Sequence, residues 1–159
     1  MKKIFVALFA VLILLSNTAC SDNVIVDVNI NEEVTAQPDS AQTLSEQIGF
    51  DISAPATAKN VEYAIINDTI AQITFSFNSI IYEYRASKIY SGAQLHKKTL
   101  DENSQSELDI GQRATVELYR DTENGLIAQW SAGGTNYSLY SVKNVSEDAI
   151  TELCDLLIP

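Results

Sequence analysis

Val61-Glu62-Tyr63-Ala64-Ile65-Ile66-Asn67-Asp68-Thr69-Ile70-Ala71-Gln72-Ile73-Thr74-Phe75-Ser76-Phe77-Asn78-Ser79-Ile80-Ile81-Tyr82-Glu83-Tyr84-Arg85-Ala86 is the stretch on which the fold turns. Val61, Tyr63 and Ile65 alternate with more polar residues, and so do Ala71, Ile73, Phe75 and Phe77, then Tyr82, Tyr84 and Ala86. Asn67-Asp68 and Asn78-Ser79 separate the three runs, and such pairs suit two-residue hairpin turns. The pattern predicts an antiparallel meander with one buried and one wetter face.

Working outward, residues 88–111 lose this regularity. Ser91-Gly92 breaks the pattern, and Thr99 to Ser106 is polar enough to be a loop. Alternation returns with Ala114, Val116 and Leu118, a turn at Asp121 to Gly125, and then Leu126, Ala128 and Trp130. Gly133-Gly134 turns the chain into Tyr137 to Val142. A closing helix begins at Ser146 as N-cap, carries Glu147 and Asp148 in its first turn, and runs to about Leu157. Upstream, Asp39 and Gln42 have capping-box spacing, Ala41, Leu44 and Ile48 form an apolar stripe, and Gly49 is placed to end a helix from about Ser40. The order predicts an α+β domain: an antiparallel sheet of about six strands, with an N-terminal and a C-terminal helix packed on one face. A sandwich with peripheral helices is the alternative.

The chain begins Met1-Lys2-Lys3, continues with an apolar run from Ile4 to Leu15, and reaches Ser16-Asn17-Thr18-Ala19-Cys20. Basic flank, short apolar run and small residues are the parts of a cleavable export signal. The run, about a dozen residues, falls short of the roughly 20 that span a bilayer. This stretch resembles a bacterial lipoprotein signal, in which the cysteine after the cut takes a diacylglyceryl group. Ala19 and Thr18 suit that pattern, and Asn17 departs from it. The resemblance implies lipidation at Cys20; ordinary cleavage near Ala19, giving a secreted protein, is the alternative. The expected organisation is a signal over 1–19, anchor cysteine and tether over 20–38, and one domain over 39–159. Val24 to Ile30 is able to extend as a strand within the tether.

The only cysteines are Cys20 and Cys154, so one disulfide at most is open to the chain. Cys154 shares helical spacing with Ile150, Leu153 and Leu157, which suits a small core residue. A Cys20–Cys154 bridge is the rival. A formal charge of −11, with 21 acidic against 10 basic residues, gives no basic footprint for nucleic acid. The same charge disfavours direct contact with anionic headgroups, so membrane contact is expected through the lipid on Cys20.

Ile48-Gly49-Phe50-Asp51-Ile52, Asp68-Thr69-Ile70-Ala71-Gln72-Ile73-Thr74-Phe75, Tyr84-Arg85-Ala86 and Ser91-Gly92 follow one another along the chain. Trp130, Tyr137-Ser138-Leu139 and the closing helix complete the series. Together they resemble a group of uncharacterised bacterial surface domains, found in small predicted lipoproteins and on anti-sigma-factor-like membrane proteins. Ile89-Tyr90 departs from that group, where an acidic residue is expected. The resemblance implies a domain of unknown function with no assigned substrate, cofactor or catalytic residue.

Tests for chemistry give little. Asp27-Val28-Asn29-Ile30-Asn31 opens like a calcium loop, yet Glu32 stands where glycine is needed and Pro38 where glutamate is needed. Asp121 to Gly125 reads as a hairpin turn. No cysteine–histidine cluster suggests zinc, and neither a metal nor a cofactor is expected. His96 is the sole histidine, lies beside Lys97 and Lys98, and is expected exposed in a loop. No Gly-x-Ser-x-Gly elbow is present. A non-enzymatic binding or sensing domain is therefore expected, with an unknown cell-surface protein or glycan as partner. Tyr82, Tyr84, Arg85, Tyr90, Trp130 and Tyr137 are the candidate binding surface if the face away from the helices keeps them exposed. Arg85 is expected beside Glu83, as a cross-sheet ion pair or as an anchor for a partner's carboxylate. The alternatives are a secreted inhibitor working through an exposed loop at Tyr90 to Ser106, and a hydrolase using surface carboxylates such as Glu107 and Asp109.

Overall fold

Eight strands form one antiparallel sheet in a computed structural model that describes residues 32–158. The export segment, Cys20 and the expected tether as far as residue 31, Val24 to Ile30 included, lie outside the described residues. In chain order the elements are β1 (Val34–Ala36), α1 (Ala41–Ile48), β2 (Lys59–Ile66), β3 (Ile70–Phe77), β4 (Ile80–Ser87) and α2 (Gly92–Leu95). Then come β5 (Leu100–Asp109), β6 (Thr115–Asp121), β7 (Leu126–Ala132), β8 (Thr135–Ser141) and α3 (Glu147–Leu157). The strand order is β1-β2-β3-β4-β8-β7-β6-β5: two four-stranded meanders joined where β4 pairs with β8.

The α+β class and antiparallel sheet stand; the strand count does not. Eight strands replace the expected six because both sheet edges add one. β1 falls inside the expected tether and pairs with β2 through Val34–Ile66 and Ala36–Ile65. β5 replaces the loop expected at Thr99 to Ser106. Its backbone bonds to β6 are interrupted between Asp101 and Ser106, where Ser104 Oγ donates to the Asp101 carbonyl and accepts from the Arg120 N–H. An irregular, acidic edge of this kind is how sheets avoid pairing with other chains.

Turn chemistry fixes the register of the central hairpins. Phe77 pairs with Ile80 across Asn78-Ser79, and Ala132 pairs with Thr135 across Gly133-Gly134. All four turn residues have positive φ, between 49° and 77°, which matches the twist of the flanking strands. Alternation then sorts side chains by face. Ile73, Phe75, Tyr82, Tyr84, Leu139, Ala128, Trp130, Val116 and Leu118 belong to one core with Leu44 of α1 and Ile150, Leu153, Cys154 and Leu157 of α3. Both helices thus pack on that face. Cys154 is fully buried, as its helical spacing predicts, and has no disulfide partner among the described residues. Burial pushes its thiol up to about 12, so it stays protonated and unreactive near neutrality.

The helix ends are held by short-range bonds. Ser40, not Asp39, is the N-cap of α1, its hydroxyl accepting from the Thr43 N–H; Asp39 accepts from the Thr43 hydroxyl instead. Gly49 ends the helix at φ 79°, a conformation that favours glycine. Ser146 caps α3 by accepting from the Ala149 N–H. Arg113, from the β5–β6 loop, donates to the carbonyls of Asp155 and Ile158 and pairs with the Asp155 carboxylate, neutralising the carboxyl end of α3.

The turn after β6 is closed by the buried Asp121, whose Oδ1 accepts from the N–H groups of Glu123 and Gly125 while Oδ2 accepts from Tyr140. A side chain at Gly125 would place Cβ 2.7 Å from the Tyr140 ring and 2.8 Å from Asp121 Oδ2. Gly125→Ala is therefore expected to lower stability by about 1–3 kcal/mol through overpacking. Urea unfolding checks this, and an unchanged midpoint would mean the turn relaxes freely.

Candidate functional site

The two faces of the sheet offer different chemistry, and each holds one place worth testing. On the face away from α1 and α3, the chain must travel from β4 at the sheet's centre to β5 at its far edge. Residues 88–99 make that crossing, with α2 lying over β4, β7 and β8. Gly92 comes so close to β7 that a Cβ there would lie 3.0 Å from Gln129 Cβ. Leu95 packs with Ile66 and Ile70, and half-buried Tyr90 lies against them.

Beneath this crossing sits Arg85, buried at 6% exposure. Its Nε donates to Gln72 Oε1 at 2.8 Å, and its Nη1 donates to Glu32 Oε1 at 2.8 Å and to the Leu95 carbonyl at 2.6 Å. Glu83 Oε2 lies 3.7 Å from Nη2. Alternation thus places Arg85 beside Glu83 as expected, but the nearer partner is Glu32. Occupied this fully, Arg85 has little left to offer a ligand's carboxylate.

His96 corrects the expectation of an exposed loop residue: it is buried at 6% exposure, because the crossing presses it onto β8. Its Nε2 lies 3.5 Å from the Ser138 carbonyl, its Nδ1 3.7 Å from Glu83 Oε2, and its ring 5.5 Å from that of Tyr140. Burial, and then the positive charge of Arg85, lower its pKa to about 3. Ser138, His96 and Glu83 are the residue types of a nucleophile, a base and an orienter. The geometry differs from that. His96 faces the Ser138 main chain, Ser138 is fully buried with its hydroxyl unpartnered among the described residues, and an imidazole with so low a pKa is a weak base.

The candidate aromatics do not form one exposed surface. Tyr82, Tyr84, Trp130 and Tyr137 all lie on the helix-covered face, and Tyr90 and Arg85 on the other. Tyr82 is fully inside, stacked on Phe75 with ring centroids 5.8 Å apart. Tyr84, Trp130 and Tyr137 stack as near-parallel plates, their centroids 5.6–6.0 Å apart. Trp130 Nε1 is buried without a hydrogen-bond partner among the described residues.

Above these plates a groove of about 1080 Å³ opens between the end of α1, the end of α3 and the β7–β8 hairpin. Tyr84 and Tyr137 line it, at 2% and 7% exposure. Desolvation raises Tyr84 well above the ordinary phenol pKa. Apolar wall is added by Phe50, Ile52, Leu156 and Leu157, and polar wall by Gln42, Ser45 and Thr135. Ser45 Oγ accepts from the Ile52 N–H and so fixes the Phe50–Ile52 segment after the helix end. Lys88 reaches over the Phe50 ring, 5.5 Å from its centroid, and donates to the Gly49 carbonyl at 3.0 Å. Tyr84 and Tyr137 are among the residues that the sequence pattern singles out, and the other walls are not. Their one signal is an apolar pair, Phe50 and Ile52, directly after a helix-ending glycine.

No protein-family model matches this chain, and no curated protein or solved structure matches it. Among the described residues no group of acidic, histidine and cysteine side chains is arranged to hold a metal, and no helix is long and apolar enough to cross a membrane.

His96 generates a pH dependence whose sign is fixed. Its folded pKa of about 3 lies below the ordinary 6.5, so between those values the unfolded chain binds a proton that the folded chain refuses. Its contribution to stability is complete above pH 6.5 and is lost as pH falls, at up to about 1.4 kcal/mol per pH unit. Arg85 and Lys98 face it with like charge and Glu83 with opposite charge. Denaturant unfolding at pH 7 and pH 4.5 is expected to show a smaller loss for His96→Gln than for the parent chain. Equal losses would mean that His96 takes up its proton without disturbing the fold.

Proposed function

We propose that this chain is a lipid-anchored extracytoplasmic domain that binds or senses a ligand in the groove between α1 and α3, and that it is not an enzyme. The observation that carries the binding site is the pair of largely buried tyrosines, Tyr84 and Tyr137, lining a cavity that is otherwise walled by apolar side chains and a few polar ones. Binding sites are mostly apolar concavities with a few polar groups that fix orientation, and the groove has that composition. The anchor rests on the export signal that ends at Cys20 and on the resemblance to bacterial lipoproteins and their surface domains. Lipidation of Cys20 leaves Cys154 as the free, buried thiol that its place in α3 already suits.

The intact mass of the protein recovered from host membranes and from the medium tests the anchor. A membrane-bound species that begins at Cys20 and carries the added mass of lipid is expected. An unlipidated species in the medium would overturn the anchor and favour a secreted module. A mass lower by two hydrogens, restored by reductant, would reveal a Cys20–Cys154 bridge instead.

A further inference from the structure

We infer that the groove between α1 and α3 takes an organic cation with an apolar body, an ammonium head on an alkyl or aryl tail; this rests on the binding function proposed above. Three features of the walls converge on that class. The tail is called for by Phe50, Ile52, Leu156 and Leu157, and by the rings of Tyr84 and Tyr137. Those rings lie near-parallel to each other and to Trp130, with centroids 5.6–6.0 Å apart, and each carries a hydroxyl oxygen. A phenol oxygen has acceptor capacity, which an ammonium N–H can satisfy.

Charge selects the head. Glu46 and Asp51 are the acidic residues of the lining and Lys88 its only base. Glu46 accepts a neutral bond from Gln42, which leaves its charge uncompensated. The Lys88 ammonium is held by the neutral Gly49 carbonyl and the Phe50 ring, so it offsets one of the two carboxylates and the lining keeps a net negative charge. α1 ends at Gly49, so the negative end of its dipole points toward the same corner. Lys88 itself shows what that corner holds well: a cation at a helix carboxyl end and over an aromatic face. An anionic ligand would meet Glu46, Asp51 and a chain of net charge −11.

Three probes with one tail and different heads test this: n-hexylammonium, 1-hexanol and hexanoate. Binding is followed by ¹H–¹⁵N chemical shifts of the groove residues and by the fluorescence of Trp130, the only tryptophan. At low salt hexylammonium is expected to bind about fivefold more tightly than hexanol, the scale of one exposed ion pair, with hexanoate weakest. The double variant Glu46→Gln, Asp51→Asn changes only exposed side chains and is expected to bring hexylammonium down to the level of hexanol. Hexanol or hexanoate binding as tightly as hexylammonium, with groove amides shifting, would overturn the cation and leave the groove as the site. If none of the probes shifts the groove amides, the groove itself fails as the binding site.

Discussion

A charge buried in a sheet must be paired, and Arg85 is where this fold meets that demand. Its guanidinium sits under the crossing segment and draws in one residue from each of several separate stretches. These are Gln72 from β3, Glu32 from the chain leading into β1, and the Leu95 carbonyl from α2. Without the Leu95 carbonyl and Glu32, the ion would lie on a central strand with only Gln72 and a more distant Glu83. The net worth of such a pair is small, but breaking it costs several kcal/mol, because the charge stays behind. Arg85 therefore acts less as a source of stability than as a condition: the crossing lies where it does, or the sheet's centre is left with an unpaired ion. The burial of His96 and the position of Leu95 on Ile66 and Ile70 follow from the same placement.

The opposite face obeys a different constraint. Two helices of 8 and 11 residues have to cover eight strands, and they do not reach every part of them. Large aromatics fill the space that remains. Tyr84, Trp130 and Tyr137 stand off the sheet as stacked plates, and the groove lies where both helices have ended, at Gly49 and just past Leu157. The groove and the core are thus one arrangement seen from two sides.

Much of this was legible in the sequence, and what was not has physical reasons. Alternation with Asn78-Ser79 and Gly133-Gly134 gave the central strands, since turn chemistry and a period of two are local properties. The edge strands escaped because edges are held by backbone bonds more than by side chains. β1 has three residues, and β5 offers only Leu100 and Leu108 as apolar residues among ten. His96 was misjudged from its neighbours: Lys97 and Lys98 speak for solvent, whereas its burial comes from β8, far away in the chain. For the site, alternation set Tyr82 and Tyr84 apart from Arg85. It had no means of saying which face the helices would cover, and that decides whether an aromatic is surface or core.

The strand order has a consequence for how the chain reaches this state. Within each meander every strand pairs with its neighbour in sequence, so each half is assembled from local hairpins. Only β4 and β8 join the halves, and there Tyr82 must wait for Ser141 and Ser87 for Asn136. Closing that seam requires the whole second meander to exist first, and the entropy of so long a loop is lost in one step. A chain still being made exposes Tyr84 and an unpaired β4 edge until β8 has emerged.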